Sequence, residues 1–282
     1  MNGGEQTPRI LSIGEAMLEL SAAGQDDLWR LGIAGDTLNT AWYLRRLLGQ
    51  GARVDYFTRV GTGEFSQKML DFLTAEGIGT DHIARDPGRE IGLYAISLKN
   101  GERSFSYWRD SSAAKLLADD PAALDRALAG AGIAYFSGIS VAILSDRGRA
   151  NLRDALARAR DQGTMVIFDP NLRPQLWKDE KEMVRTLNSL AQEADLVLPG
   201  LSEGKILTKR DTPEGIAEFY HERGVDSVIV KLGDKGAYWS TGGEHGTVPA
   251  FPVKRIVDTV GAGDGLHQRV RLQRLVEIQR RQ

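Results

Sequence analysis

"RGRANLRDALARARDQGTMVIFDPN", residues 147–171, decides the fold. Up to Gly163 it reads as a helix, with apolar residues at a 3.6-residue period and a glycine as the stop. From Thr164 it reads as a short apolar strand that ends in the turn signal Asp169-Pro170-Asn171. The same alternation extends in both directions. Downstream come "EMVRTLNSLAQEA" (helix), "DLVLPG" (strand), "PEGIAEFYHERG" (helix) and "SVIVKLGDKGAYWS" (strands). Upstream lie "IAYFSGIS" and, nearer the start, "ILSIGEAMLEL", each read as one strand. Between these two come the helix "TLNTAWYLRRLLGQG", the strand "ARVDYFTRVG" and the helix "EFSQKMLDFLTAEGIG", with Phe65, Met69, Phe72 and Leu73 on one face. Strand–helix alternation requires crossover connections, hence an α/β fold with a mainly parallel central sheet and helices on both faces.

One segment breaks the pattern. "GLYAISLKNGERSFSYWRD" carries two alternating runs around Asn100-Gly101, a strong hairpin signal, and predicts a small antiparallel β flap outside the main sheet. No repeat, low-complexity linker or composition break separates a second domain. We therefore expect one domain over 1–282, with a lid from about 14–36 and 90–112 inserted in it.

Composition narrows the function. The 36 basic and 38 acidic residues nearly cancel, to −2, so no global field points at nucleic acid. With no cysteine there are no disulfides or thiolate metal sites, and His82, His221, His245 and His267 have no metal-ligand spacing. No apolar run reaches the roughly 18 residues of a membrane span, and "MNGGEQTPRI" has no signal-peptide core. A cytoplasmic protein with neither a membrane nor a nucleic-acid partner is expected.

Open parallel sheets bind ligands beyond the carboxyl ends of their strands. There fall Asp169-Pro170-Asn171, Pro199-Gly200, Lys231-Leu232-Gly233 and the turn "DTVGAGD", residues 258–264. In that turn Gly261 and Gly263 let successive N–H groups converge at a helix start, which makes an anion site. Asp264 fits two roles: a helix cap, or the base that takes a proton from a hydroxyl beside a bound phosphoryl group. The turn has neither the Lys-Ser/Thr ending of a Walker loop nor a dinucleotide GxGxxG.

"DTVGAGD" resembles the signature of the ribokinase-like PfkB sugar kinases, and "AGDTLNTA" resembles their amino-terminal motif. "FSYWRDSSAA", "FSGISVAIL" and "FDPNLRPQLW" are similar, more narrowly, to the 2-keto-3-deoxygluconate kinases within that family. The likeness runs in order from about residue 9 to Asp264. It implies a ribokinase-like fold and ATP-dependent phosphorylation, with Mg²⁺, of a small-molecule sugar acid at its 6-hydroxyl. Asp264 would be the catalytic base, and Gly261, Ala262 and Gly263 the anion hole. Gly35, Asp36 and Asn39 would meet the sugar hydroxyls, although Asp36 also fits a helix N-cap. Arg109 and Arg173 would hold the carboxylate by their guanidinium forks, and Tyr94 and Tyr107 would close over the substrate. Trp108 and Trp177 are expected to pack.

The ATP side would use Asn171, Lys231, Gly233 and Gly236 together with Gly261 and Gly263. Glu203, in "PGLSE" where relatives often carry Pro-Asn-x-x-Glu, would order water around Mg²⁺; Gly200 replaces the asparagine, and Ala34 a common glycine. The lid sheet would supply a homo-oligomer contact. Fructokinase- or ribokinase-type activity is the neighbouring alternative, and an inactive sugar-acid-binding remnant the other.

That last alternative rests on residues 265–282, "GLHQRVRLQRLVEIQRRQ". Relatives continue there with apolar helices, whereas this stretch is arginine-rich, and arginine does not suit a buried layer. Leu266 to Arg271 can be encoded so that loss of one base yields Phe-Ile-Ser-Gly-Phe, an apolar continuation. A shifted reading frame is the expectation for this stretch.

Overall fold

The computed structural model describes residues 8–23, 28–99 and 102–251. In chain order the elements are β1 (Arg9–Ile13), β2 (Met17–Ala22), β3 (Trp29–Ala34), α1 (Asp36–Leu48), β4 (Arg53–Gly61), α2 (Glu64–Ala75), β5 (Ile83–Asp86), β6 (Gly92–Lys99) and β7 (Glu102–Trp108). Then follow α3 (Pro121–Leu128), β8 (Ile133–Ser137), α4 (Gly138–Ile143), α5 (Asp146–Asp161), β9 (Met165–Asp169), α6 (Glu180–Ala191) and β10 (Leu196–Val197). The last are α7 (Leu201–Thr208), α8 (Pro213–His221), β11 (Ser227–Lys231), β12 (Ala237–Thr241) and β13 (Glu244–Val248).

The described strands form two sheets. The larger has the order β13-β12-β11-β10-β9-β8-β1-β4-β5; it is parallel from β5 to β11, and β12 and β13 add an antiparallel edge. Side chains alternate between two cores. Leu11, Ile13, Ala134, Phe136, Val166 and Phe168 enter one, and Ile10, Ile133, Tyr135 and Ile167 enter the other. A strand buried on both faces has no polar face to show, which is why these segments read as continuous apolar runs. Phe136 and Phe168 stack across β8 and β9 with centroids 4.7 Å apart.

The lid is the second sheet, of order β3-β2-β6-β7. The predicted hairpin is there as the antiparallel β6–β7 pair; β2–β3 is also antiparallel, and β2 and β6 join the two pairs in parallel register. Asn100 and Gly101 lie outside the described residues.

Several expectations need correction. "ILSIGEAMLEL" is two strands in two sheets. At Gly14 a Cβ would lie 2.4 Å from Thr37 Oγ1 and 2.5 Å from Ser140 Oγ, so the chain there passes too close to α1 and α4 for any side chain. "IAYFSGIS" turns from strand to helix at Gly138, where a Cβ would meet the Pro170 carbonyl at 1.9 Å and where Ser137 Oγ accepts the Ser140 N–H. Phe65 is 48% exposed, unlike Met69 and Leu73 on the buried face of α2. Trp177 packs into the core, but Trp108 is 59% exposed. Asp36 is the first residue of α1 and does not cap it; Gly35 occupies the cap position.

Candidate active site

Between the lid and the carboxyl ends of β9 and β11 lies a cavity of about 1070 Å³. The turns after these strands point their polar ends into it, as an open parallel sheet dictates. It brings together Gly35, Asp36, Asn39, Tyr94, Tyr107, Arg109, Asn171, Arg173, Glu203, Lys231 and Gly233, expected site residues up to 198 positions apart in sequence. Gly236 does not line it. Gly261, Ala262, Gly263 and Asp264 lie outside the described residues.

A chain of polar contacts crosses the floor. Asn171 Nδ2 donates to Asp36 Oδ2 at 2.8 Å, and the Asn171 backbone N–H donates to Asp169 Oδ1 at 3.2 Å. Lys231 Nζ donates to both Asp169 oxygens, at 2.9 and 3.0 Å. Asn171 has φ 34°, in the left-handed region that asparagine tolerates better than most side chains. That conformation turns the loop after β9 so that one residue reaches both carboxylates. The Asp169 side chain is 1% exposed, and a buried carboxylate needs such a partner.

The nucleotide-side candidates divide. Gly233 and Gly236 have φ 64° and 100°, and a Cβ on Gly236 would sit 1.9 Å from the Val248 carbonyl. Gly236 therefore shapes the β11–β12 connection, while Lys231 and Gly233 face the cavity. Glu203 accepts from the Leu172 N–H at 2.9 Å and from the Gly200 N–H at 2.7 Å, closing the start of α7. Both of its oxygens are thus engaged by backbone. Among the described residues no group of three His, Cys, Asp or Glu converges as a metal site. A magnesium ion that leans on nucleotide phosphates fits such a donor set.

The sugar-side candidates converge at the root of the lid. Gly35 lets α1 start against it, since a Cβ there would be 2.4 Å from the Glu15 carbonyl. Tyr94 is buried and its hydroxyl donates to Glu19; Tyr107, 45% exposed, has its ring centroid 5.8 Å from that of Tyr94. Arg173 is half-buried, and its Nη1 donates to the Leu172 carbonyl at 2.8 Å. Among the described residues no carboxylate pairs with it. Arg109, by contrast, pairs with Glu15, whose other oxygen accepts from Ser112 Oγ at 2.5 Å. Burial pushes the Glu15 carboxyl above its ordinary range; Arg109 and Ser112 pull it down less than burial raises it.

Sequence reasoning missed Glu15, Asp169 as a floor residue, and the cavity-facing Met17 and Phe105. Glu15 had one available signal: an acid in the middle of the mostly apolar run "ILSIGEAMLEL".

Comparison with known proteins agrees with this architecture. Residues 7–267 match the pfkB family carbohydrate kinases. The chain is 38% identical over 263 residues to the 2-dehydro-3-deoxygluconokinase of Escherichia coli (strain K12), covering 91% of this chain and 84% of that one. Among solved structures, a PfkB protein from Polaromonas sp. JS666 is similar with a TM-score of 0.79 at 34% identity, over 92% of this chain and 85% of that one. A putative ribokinase II from E. coli in complex with ATP and Mg²⁺ is similar at TM-score 0.79 and 25% identity, over 92% and 84%. The chain belongs to the pfkB family of carbohydrate kinases.

Proposed function

We propose that the chain transfers the γ-phosphoryl group of ATP to the 6-hydroxyl of 2-keto-3-deoxygluconate, a sugar acid. The observation that carries this reading is the presence of two guanidinium groups, Arg109 and Arg173, in one cavity with Asp36 and Asn39. Arg109 already has Glu15, but among the described residues no carboxylate pairs with the half-buried Arg173, and a substrate carboxylate matches its planar fork where a neutral sugar would not. The E. coli relative, named for this substrate, supports the same reading.

In this mechanism Asp264 accepts the proton of the 6-hydroxyl as its oxygen attacks the γ-phosphorus, and ADP leaves. The backbone amides of 261–263 stabilise the charge that develops on the transferred group. Lys231 and Gly233 hold the polyphosphate. Magnesium, when bound, neutralises phosphate charge. Arg109 and Arg173 position the substrate.

The lid carries the second part of the proposal, a homo-oligomer contact. Strand register puts Trp29, Leu31 and Trp108 on the face opposite Tyr94 and Tyr107, and all three are at least 40% exposed. A second copy of the lid would cover them; a Trp108→Asp variant running at the same mass as the parent in light scattering would remove this contact from the proposal.

The deciding assay is ATP-dependent phosphorylation of 2-keto-3-deoxygluconate against fructose and ribose. The sugar acid should have the highest kcat/KM; faster turnover of fructose at equal concentration would sink the assignment. We keep the shifted frame at 265–282 as part of the proposal, and sequencing the gene around the codon for Leu266 decides it.

A further inference from the structure

We propose that Glu15 is the positioning residue of sugar-acid recognition: it holds the Arg109 guanidinium at the lid root, so that the remaining donors of Arg109 face the substrate carboxylate. The inference rests on the sugar-acid reading above.

Four crossings between lid and body meet at Glu15. The chain leaves the body at Gly14 and enters β2 at Met17, with Glu15 between them. It returns at Gly35, where a Cβ would be 2.4 Å from the Glu15 carbonyl. It goes out again at Gly92, where a Cβ would be 3.0 Å from Glu15 Oε1. It comes back at Arg109–Ser112, both of which bond to the Glu15 carboxylate. Glu15 is 2% exposed and the Arg109 side chain 10%. Glu15 engages only Nη2 of Arg109; the buried Nε has no hydrogen-bond partner among the described residues. The enclosed Nε is out of a ligand's reach, but the side chain lines the cavity, and Nη1, which Glu15 does not engage, is the donor left for a ligand there.

Two effects oppose each other when the Glu15 charge is removed. Loss of a nearby anion favours binding of another anion. Against that, a buried cation left without its partner is strongly destabilised, and arginine has a long, rotamer-rich side chain free to swing to solvent or to Asp110. The second effect dominates because the guanidinium is nearly out of water. The fork then leaves the position where a carboxylate would find it.

The test is Glu15→Gln, which preserves shape and one acceptor. KM for 2-keto-3-deoxygluconate should rise about 10-fold or more, with kcat within about threefold and KM for ATP and for fructose unmoved. In an Arg109→Ala background the same substitution should leave KM unchanged, since Glu15 acts through Arg109. An unchanged or lower KM, a parallel rise for fructose, or additive effects of the two substitutions would overturn the proposal. Should Glu15→Gln not fold, Ser112→Ala replaces it in both backgrounds, with a smaller rise in the same direction expected and the same outcomes overturning it. If the parent enzyme itself prefers fructose, the sugar-acid reading has failed first; if it prefers the acid and the cycle is additive, only this inference has.

Discussion

Phe136 and Phe105 are the same residue type in two regions built on different terms. Phe136, on β8, is 0% exposed and stacks on Phe168 between the sheet and its helices. Phe105, on β7, is 42% exposed, with its ring against those of its lid neighbours Tyr94 and Tyr107. The body is stabilised by burial on both faces of its sheet. The lid leaves Ser104 to Trp108 exposed along β7 and is tied down at its root by polar contacts around Glu15. Under the proposed function, Tyr94 and Tyr107 would put part of the substrate recognition on the region with fewer packing constraints.

That contrast can be tested from both sides. The largest effect expected is catalytic: Asp264→Asn should lower kcat by at least about 100-fold with both ligands still bound in calorimetric titration. Near-normal turnover would make Asp264 a cap only. Next comes stability. Phe136→Ala should cost about 3–5 kcal/mol in denaturant unfolding, and Phe105→Ala less than about 1 kcal/mol. Equal costs would mean that the lid is as much a packed structure as the body. Arg173→Ala should act through KM for the sugar acid, by about 10-fold or ~1.4 kcal/mol, and little through kcat. A fall in kcat alone would take Arg173 out of ground-state binding.

The smallest effect is in pH. Because burial raises the folded-state pKa of Glu15, its contribution to stability is full below the unfolded-state value and lost as pH rises through the folded one. The Tm of the parent relative to Glu15→Gln should therefore improve as pH falls from about 7 toward about 5. If the parent loses ground instead, the guanidinium outweighs burial at that site.

The body was legible because its signals are local. Leu152, Ala155, Leu156 and Ala159 all point into one core, and the β8 and β9 runs are apolar because both of their faces are covered. The hairpin was legible from two residues, Asn100 and Gly101. The site's location followed from where polar turns end apolar strands, and the cavity collected Asp36, Asn171, Arg173 and Lys231 together. What escaped were pairings over distance. Arg109 and Glu15 are 94 positions apart, and no spacing rule joins them. Asp36 looked like a cap because its best partner, Asn171, is 135 positions away. Trp108 looked like core because alternation in a strand shows which residues share a face, not whether anything covers it.

The relay across the cavity floor has a consequence for how the two ligands speak to each other. Asp36 stands at the end proposed for the sugar and Lys231 at the end proposed for the nucleotide, with Asn171 and Asp169 between them. Under the proposed function a polyphosphate would compete with Asp169 for Lys231, and Asp169 shares Asn171 with Asp36. Occupancy at one end would then be felt at the other, and thermodynamic reciprocity would make the influence symmetric. By whatever factor the nucleotide changes affinity for the sugar, the sugar changes affinity for the nucleotide by the same factor.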